Sequence, residues 1–528
     1  MRKLMILLAF GSAVSLIAQT VEVPPATPTA RAIKAAIDDS DLGGYRADVR
    51  NFYAPAGYRL AWSQTGQPTG QARAVIALFV GASDKGLDPA DYALASLKDE
   101  ARFDVAMTAA AMRYASDLHD GRLDPRTIGF DLNINARRLY LPALIAAVSQ
   151  SNNPAALLAA VEPQNHDYRG LVAALATYRR IAAQSEGEAP LPVVEKLKVG
   201  DAYAALPQLA TALRRFGDLV ADAGVNGNIY DGAMVEAVKR FQSRHGLAAD
   251  GVVSKKTFAE LNVPASRRVA QLEWALERSR WAASDGPSIV VNIPEFRLRA
   301  TDGADTLSMR VVVGKAAGHQ TPVLEGDVRT VVFRPYWSVP TNIQRNEILP
   351  KLERDADWLA NHGYEIVDEN GQSLATTADA ATIEQLRSQR YRMRQKPGSS
   401  NALGLVKFVF PNQNDVYLHS TPEQSLFDRT RRDFSHGCVR VEDPVALAAW
   451  ALRQSPEKVR AAIGSDEDDQ YVRLERSVRV MLVYSTAAIG DNGEVRFFAD
   501  IYGHDATLAA ALRNGHATPS GGLVLAAK

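Results

Sequence analysis

The apolar residues of this 528-residue chain change their spacing about halfway along. Up to about Trp281 they recur at helical intervals. Beyond it they come in short runs rich in Val and Ile, as at 288–293, 307–313 and 330–333. A helical period cannot bury one face of a strand, so the change divides the chain by fold. The chain is also too long for one hydrophobic core. The expectation is a multidomain α+β protein with three parts: an all-helical N-terminal scaffold over 31–200, a small three-helix module over 201–263, and a mostly β domain over 264–512. The β domain carries a helical capping insertion at about 341–400.

Local patterns support this division. Leu171, Leu175, Tyr178 and Ala182 recur at i, i+4, i+7 and i+11, one buried helix face. In the module, Asp231 reads as an N-cap, and Met234, Val235, Val238 and Phe241 trace a stripe that stops at His245-Gly246. Asp250-Gly251 then marks a turn, and Ser254 opens another helix. Residues 267–281 read as a linking helix. Two helices are expected in the insertion, at 345–361, with Pro350 disturbing its start, and at 378–394. The second carries the basic run Arg387, Arg390, Arg392, Arg394 and Lys396, either a solvated face or an attraction for an acidic peptide. Strands resume at 405–410 and 415–419. The runs 478–484 and 494–498, around Asp491-Asn492-Gly493, read as a hairpin.

Met1-Arg2-Lys3 followed by the apolar stretch 4–18 matches a secretory signal better than a spanning helix, which needs about 20 apolar residues. Residues 1–20 are read as that signal rather than an uncleaved anchor, 21–30 as a Pro- and Thr-rich linker, and 513–528 as a flexible tail. A formal net charge of zero gives no pull toward nucleic acid. Export matters for the cysteine count. Exported proteins use cysteines in pairs, whereas here Cys438 is alone. No internal disulfide can form, which leaves a passive buried thiol, an intermolecular bridge or a reactive group.

The surroundings of Cys438 favour reactivity. Two of the nine histidines lie close by in Tyr417-Leu418-His419-Ser420-Thr421 and Phe434-Ser435-His436-Gly437-Cys438-Val439-Arg440. A thiol nucleophile needs a base or a positive charge beside it, and imidazole supplies both. Gly437 permits close backbone approach and leaves N–H groups to face an oxyanion. Asp443-Pro444 reads as the N-cap and first residue of a following helix. Spacing leaves the base open: His436 shares a face with Cys438 in extended backbone, and His419 can approach from another strand. A zinc site of His419, His436 and Cys438 fits no standard ligand spacing, so no metal is expected.

The order His419, then Ser435-His436-Gly437-Cys438-Val439-Arg440, resembles the signature of YkuD-type L,D-transpeptidases. The stretch Arg334-Pro335-Tyr336-Trp337-Ser338-Val339-Pro340, with Asn401-Ala402-Leu403-Gly404 and Lys407-Phe408, is similar to the YcbB-like branch of that family. Residues 237–251 resemble the peptidoglycan-binding type 1 module. The resemblance implies a YkuD-type catalytic domain behind a wall-binding module. It makes Cys438 the nucleophile and His419 the general base and acid, oriented by the Ser420 backbone carbonyl. Gly437 and Cys438 N–H groups form the oxyanion hole, Tyr417 helps it, and His436 is supporting. Arg440, Trp337 and Asn401 are substrate-binding positions. Arg440 either grips a stem carboxylate or holds its loop, and Trp337 is either an aromatic wall or core.

The implied reaction is a 3→3 crosslink between peptidoglycan stems through a Cys438 thioester, in the periplasm and without cofactor. The implied partners are a tetrapeptide donor, a diamino-acid acceptor and other cell-wall synthesis proteins. Carbapenems would acylate the same thiol. With water as acceptor the site would be an L,D-carboxypeptidase. A catalytically silent wall-binding protein is opposed by the joint presence of Cys438, His419 and Gly437. A papain-like or NlpC-like peptidase is opposed by chain order, since those families place Cys before His.

Overall fold

The computed structural model describes residues 27–94, 96–134, 139–225, 227–282 and 286–514. The signal peptide, most of the linker and nearly all of the tail read from the sequence lie outside these residues. Among the described residues no helix is long and apolar enough to cross a membrane. The fold is a helical N-terminal region, a three-helix module and a mostly β domain. Helix α1 (Pro28–Asp39) starts inside the segment expected as linker, because the Thr27 hydroxyl accepts from Ala30 N–H at 3.1 Å and Pro28 sits in the first turn. It packs on α2 (Glu100–Asp120) around Ile33, Val49, Trp62, Met112 and Ile145.

Helix α3 (His166–Gln184) buries Leu171, Leu175 and Tyr178, the face its spacing predicts. That face packs outside the scaffold core, against Leu272, Leu276, Ile489 and Phe497. The module follows as α4 (Leu206–Arg215), α5 (Gly232–Arg244) and α6 (Lys255–Leu261), closed around Leu209, Val238, Phe241 and Phe258. Asp231 holds the N-cap position of α5 without a side-chain bond, whereas Ser254 caps α6 through Thr257 N–H at 3.3 Å.

Helix α7 (Ala265–Trp281) is buried on nearly every side, as a helix inside a protein must be. It joins the other parts through buried charge. Glu277 accepts from the N–H groups of Arg122 (2.6 Å) and Leu123 (3.1 Å), and Arg280 donates to the Lys85 carbonyl at 2.5 Å. Arg278 pairs with Asp505 at 2.6 Å, with both side chains under 5% exposed. Asp505 also accepts from the Thr486 hydroxyl at 2.7 Å. Removing one member of such a pair strands a charge in a dry site. Asp505→Ala is expected to lower stability by about 3–5 kcal/mol, read as a lower urea midpoint. Asp505→Asn, which keeps an acceptor, should lose less.

The β domain opens with β1 (Ser288–Asn292), β2 (Arg297–Asp302), β3 (Asp305–Gly314) and β4 (Leu324–Phe333). The insertion follows, with strands β5 (Trp337–Ser338), β6 (Tyr364–Val367), β7 (Ser373–Ala375) and β8 (Arg392–Gln395) and helix α8 (Ala380–Arg387). It is therefore not helical throughout: β7-β6-β8-β5 form a sheet of their own. The expected helix over 378–394 ends at Arg387, and Arg392 and Arg394 lie on β8. The helix expected over 345–361 is also broken, because a π-helical turn (Gln344–Ile348) precedes Pro350 and only Leu349–Leu352 and Trp358–Asn361 are α-helical. In the basic run Arg390 and Arg392 are exposed, as a solvated face requires, and the other three are paired. Arg387 pairs with Glu353, Arg394 lies 2.5 Å from Glu365, and Lys396 lies 3.6 Å from the same carboxylate.

After the insertion come β9 (Val406–Val409), β10 (Leu418–His419), β11 (Asp433–Ser435), β12 (Val439–Val441), α9 (Pro444–Leu452), β13 (Gln470–Val483) and α10 (His504–Asn514). The main sheet runs β11-β3-β12-β10-β9-β4-β13-β1-β2, and β2 pairs again with β3. That last pairing closes β3, β12, β10, β9, β4, β13, β1 and β2 into a ring without a free edge. Strand β13 lies between β4 and β1, so the hairpin expected from residues 478–484 is corrected. The turn at 491–493 instead joins β14 (Ala487–Ile489) to β15 (Val495–Phe497).

Candidate active site

Strand register brings the chemistry together. Strand β10 pairs parallel with β12, His419 opposite Arg440 and Leu418 opposite Val439. It pairs antiparallel with β9, Lys407 opposite His419 and Phe408 opposite Leu418. Side chains alternate across a sheet. Val406, Phe408, Leu418, Val439 and Val441 are fully buried in the core. Lys407, Tyr417, His419, Cys438 and Arg440 occupy the alternate positions, and all five line one cleft of about 1270 Å³ between the ring and the insertion. His419 therefore sits diagonally across from Cys438, one strand away.

Cys438 follows a stapled turn. The Ser435 hydroxyl donates to the Cys438 carbonyl at 2.6 Å and accepts from Gly437 N–H at 3.2 Å. The buried Thr321 hydroxyl donates to the Gly437 carbonyl at 2.7 Å. Gly437 has φ +119°, where a side chain is strained. Its glycine thus shapes the turn, and its N–H is engaged by the Ser435 hydroxyl. The thiol donates to the Asp415 carbonyl at 3.8 Å, and Asp415 itself is left-handed at φ +52°.

His419 is 5% exposed, and its Nδ1 lies 2.5 Å from the Ser420 carbonyl oxygen. A carbonyl only accepts, so Nδ1 carries the proton and Nε2 keeps a lone pair. Ser420 is held in turn by its N–H bond to the Val406 carbonyl at 2.9 Å. Asn401 and Gly404 back this arrangement. Gly404 has φ +61°, and a Cβ there would lie 2.4 Å from the Ser420 hydroxyl, so only glycine lets the loop lie against Ser420. Asn401 is fully buried and donates to the carbonyls of Pro335, Gln395 and Lys396 at 3.0–3.3 Å. Its amide is consumed inside the loop, so the expected substrate contact is corrected to a structural one.

Electrostatics favour a neutral resting pair. Burial pushes His419 down to about 3, with the Arg440 charge adding to the effect. Burial raises the Cys438 thiol, against the lowering influence of Tyr417, Lys407 and Arg440. Tyr417 stays a protonated donor: burial and the nearby sulfur hold its phenol far above its ordinary range. Alkylation of Cys438 by iodoacetamide should therefore rise with pH to an inflection above that of an ordinary thiol, about 8.5. A rate already on its plateau at pH 6 would instead mean a preformed thiolate–imidazolium pair.

The remaining expected residues separate. Arg440 pairs with Glu423, the loop-holding alternative. Trp337 lines the cleft and meets Tyr364 edge-on at 6.2 Å. His436 turns to Glu347 of the insertion at 2.7 Å, with the His319 ring 4.6 Å away. Sequence reasoning missed Glu347, Thr321 and the Ser435 staple. Lys407 was noted only as part of a motif, although its alternation with Val406 and Phe408 marked it as cleft-facing.

Residues 286–460 match the YkuD family, described as "L,D-transpeptidase catalytic domain". Residues 204–261 match PG_binding_1, a "Putative peptidoglycan binding domain", and 47–175 match "Scaffold domain". A curated relative from Haemophilus influenzae, named "Putative L,D-transpeptidase", is 35% identical over 223 residues, which are 41% of this chain and 44% of the relative. The match thus spans less than half of that relative's length. Similar solved structures include L,D-transpeptidases from Xylanimonas cellulosilytica and Stackebrandtia nassauensis. Each is 15% identical; the first covers 55% of this chain and 98% of that one at TM-score 0.18, the second 54% and 96% at 0.19. These superpositions are too loose to carry structural detail. The chain carries a YkuD-type L,D-transpeptidase catalytic domain together with a type 1 peptidoglycan-binding module.

Proposed function

We propose that this YkuD-domain protein is an exported, periplasmic L,D-transpeptidase that forms 3→3 crosslinks between peptidoglycan stems through a thioester on Cys438. The observation that carries the reading is the shared cleft face of Cys438 and His419, with Nδ1–H of His419 committed to Ser420 so that Nε2 can take a proton. In the first half-reaction the Cys438 sulfur attacks the carbonyl of the third stem residue as Nε2 takes the thiol proton. The tetrahedral oxyanion is met by Cys438 N–H and the Tyr417 hydroxyl, the donors left once Gly437 N–H is engaged. Collapse breaks the C–N bond, and the imidazolium returns the proton to the departing D-Ala amine. A diamino-acid side-chain amine then attacks the thioester, loses a proton to His419, and releases the thiolate, which the imidazolium reprotonates. The module and scaffold hold this domain to the wall. Neutral reactants suit a concerted proton transfer, because neither charge has to be maintained in a half-dry cleft.

The test is incubation of the purified protein with tetrapeptide muropeptides, with products resolved by mass. Crosslinked dimers with loss of D-Ala are the expected result. Tripeptides alone would make the protein an L,D-carboxypeptidase, with water as acceptor. No Cys438-dependent product from folded protein would sink both.

A further inference from the structure

We infer that Lys407 is the carboxylate receptor of this cleft, and that its ammonium binds the free C-terminal carboxylate of the donor peptide. The inference rests on the acyl-transfer reading of Cys438 and adds a donor specificity to it. Lys407 stands on β9 between the fully buried Val406 and Phe408, directly across the ladder from His419. Its Nζ lies 4.1 Å from the centroid of the Tyr417 ring, whose hydroxyl meets the Cys438 sulfur. A fixed positive charge thus sits one ring away from the nucleophile.

Of the other arginines lining the cleft, Arg392 is exposed on strand β8 of the insertion, and the two others are occupied. Arg440 is paired with Glu423, and Arg394 lies 2.5 Å from Glu365 and stacks over Tyr336. Among the described residues no carboxylate lies within ion-pair distance of Lys407, and Asp469 and Asp415 act on it only at longer range. Burial pulls its ammonium below the ordinary lysine range, as expected of a charge without a close counter-ion. A partly desolvated ammonium of this kind gains most from an anion that arrives with the ligand.

The ligand supplies that anion at a suitable reach. In a tetrapeptide cut after its third residue, the terminal carboxylate belongs to the leaving residue. Covalent geometry puts it about 4 Å from the scissile carbonyl carbon. One further residue would place a neutral amide there and carry the carboxylate about 3.8 Å farther along the chain. A receptor at Lys407 therefore selects donors that end one residue past the scissile bond.

The test compares kcat/KM for a tetrapeptide donor as free acid and as C-terminal carboxamide, in the full-length protein and its Lys407→Met, Lys407→Gln and Lys407→Arg variants. The unaltered protein should prefer the acid by about 10- to 100-fold, the range for a charge-assisted hydrogen bond. In Lys407→Met or Lys407→Gln the acid-to-amide ratio should fall toward one, and Lys407→Arg should retain most of it. Equal losses on both donors, with the ratio intact, would mean that Lys407 acts only on the thiol and would overturn the inference. So would Cys438-dependent turnover by the unaltered protein with no preference. Absence of Cys438-dependent turnover of either donor takes down the acyl-transfer reading and this inference together, a result distinct from an intact ratio.

Discussion

Replacing Cys438 by alanine should abolish both D-Ala release and crosslink formation, a fall of at least about 10⁴-fold, because the sequence holds no second thiol to take its place. The usual objection to such a result, an unfolded variant, is weak here. Cys438 is partly exposed, and its sulfur faces the cleft. Truncation to alanine widens the cleft rather than sealing a void in the core, so the stability change should stay near the ±0.5 kcal/mol of an ordinary surface substitution. The turn is held by Ser435 and Thr321 through backbone carbonyls, which alanine preserves. An unchanged urea midpoint beside lost turnover is the expected pair of results. Cys438→Ser should recover little, since a neutral, buried imidazole has far less power over an alcohol than over a thiol. Intact mass gives a second readout: a carbapenem should add covalently to the unaltered protein and leave Cys438→Ala at its original mass. Retained D-Ala release in Cys438→Ala would remove Cys438 from the mechanism.

The parts of this site that were legible in the sequence are those set by local order. Cys438, His419 and Tyr417 stand on or beside two short strands, and period-two alternation puts them on one face once the register is known. The register itself is tertiary and leaves no local trace. The same holds for the Thr321 bond to the Gly437 carbonyl, which joins residues 116 apart, and for the Glu347 contact to His436, 89 apart. Asn401 misled for a related reason. A polar residue in a motif reads as a ligand contact until its carbonyl partners are seen. The insertion's sheet escaped notice because β6 is buried throughout, and β8, although its burial alternates, is four residues long with Met393 as its one apolar side chain. Residues 478–484 read as a hairpin arm because a turn lay near. Their near-continuous apolar run belongs instead to a strand with neighbours on both sides.

His419→Gln carries the second large effect, and its pH dependence separates a base from a scaffold. At neutral pH the loss should be about 10²- to 10⁴-fold, the range for a positioned general base. With its folded-state pKa pushed down to about 3, His419 is neutral and able to accept a proton across the whole working range. The unaltered protein therefore has no activity loss near pH 6 to 7 from protonation of its base. The variant lacks an acceptor and can react only through the thiolate fraction that solvent produces. That fraction grows about tenfold per pH unit until the thiol pKa, which burial has raised. The deficit of His419→Gln should accordingly shrink as pH rises from 7 to 9, while its acylation rate climbs with a slope near one. Raising the pH cannot replace a missing positioning bond, so a deficit constant over that interval would mean that His419 orients the site without moving the proton. A shrinking deficit with Ser420 still holding the loop would assign the proton to Nε2.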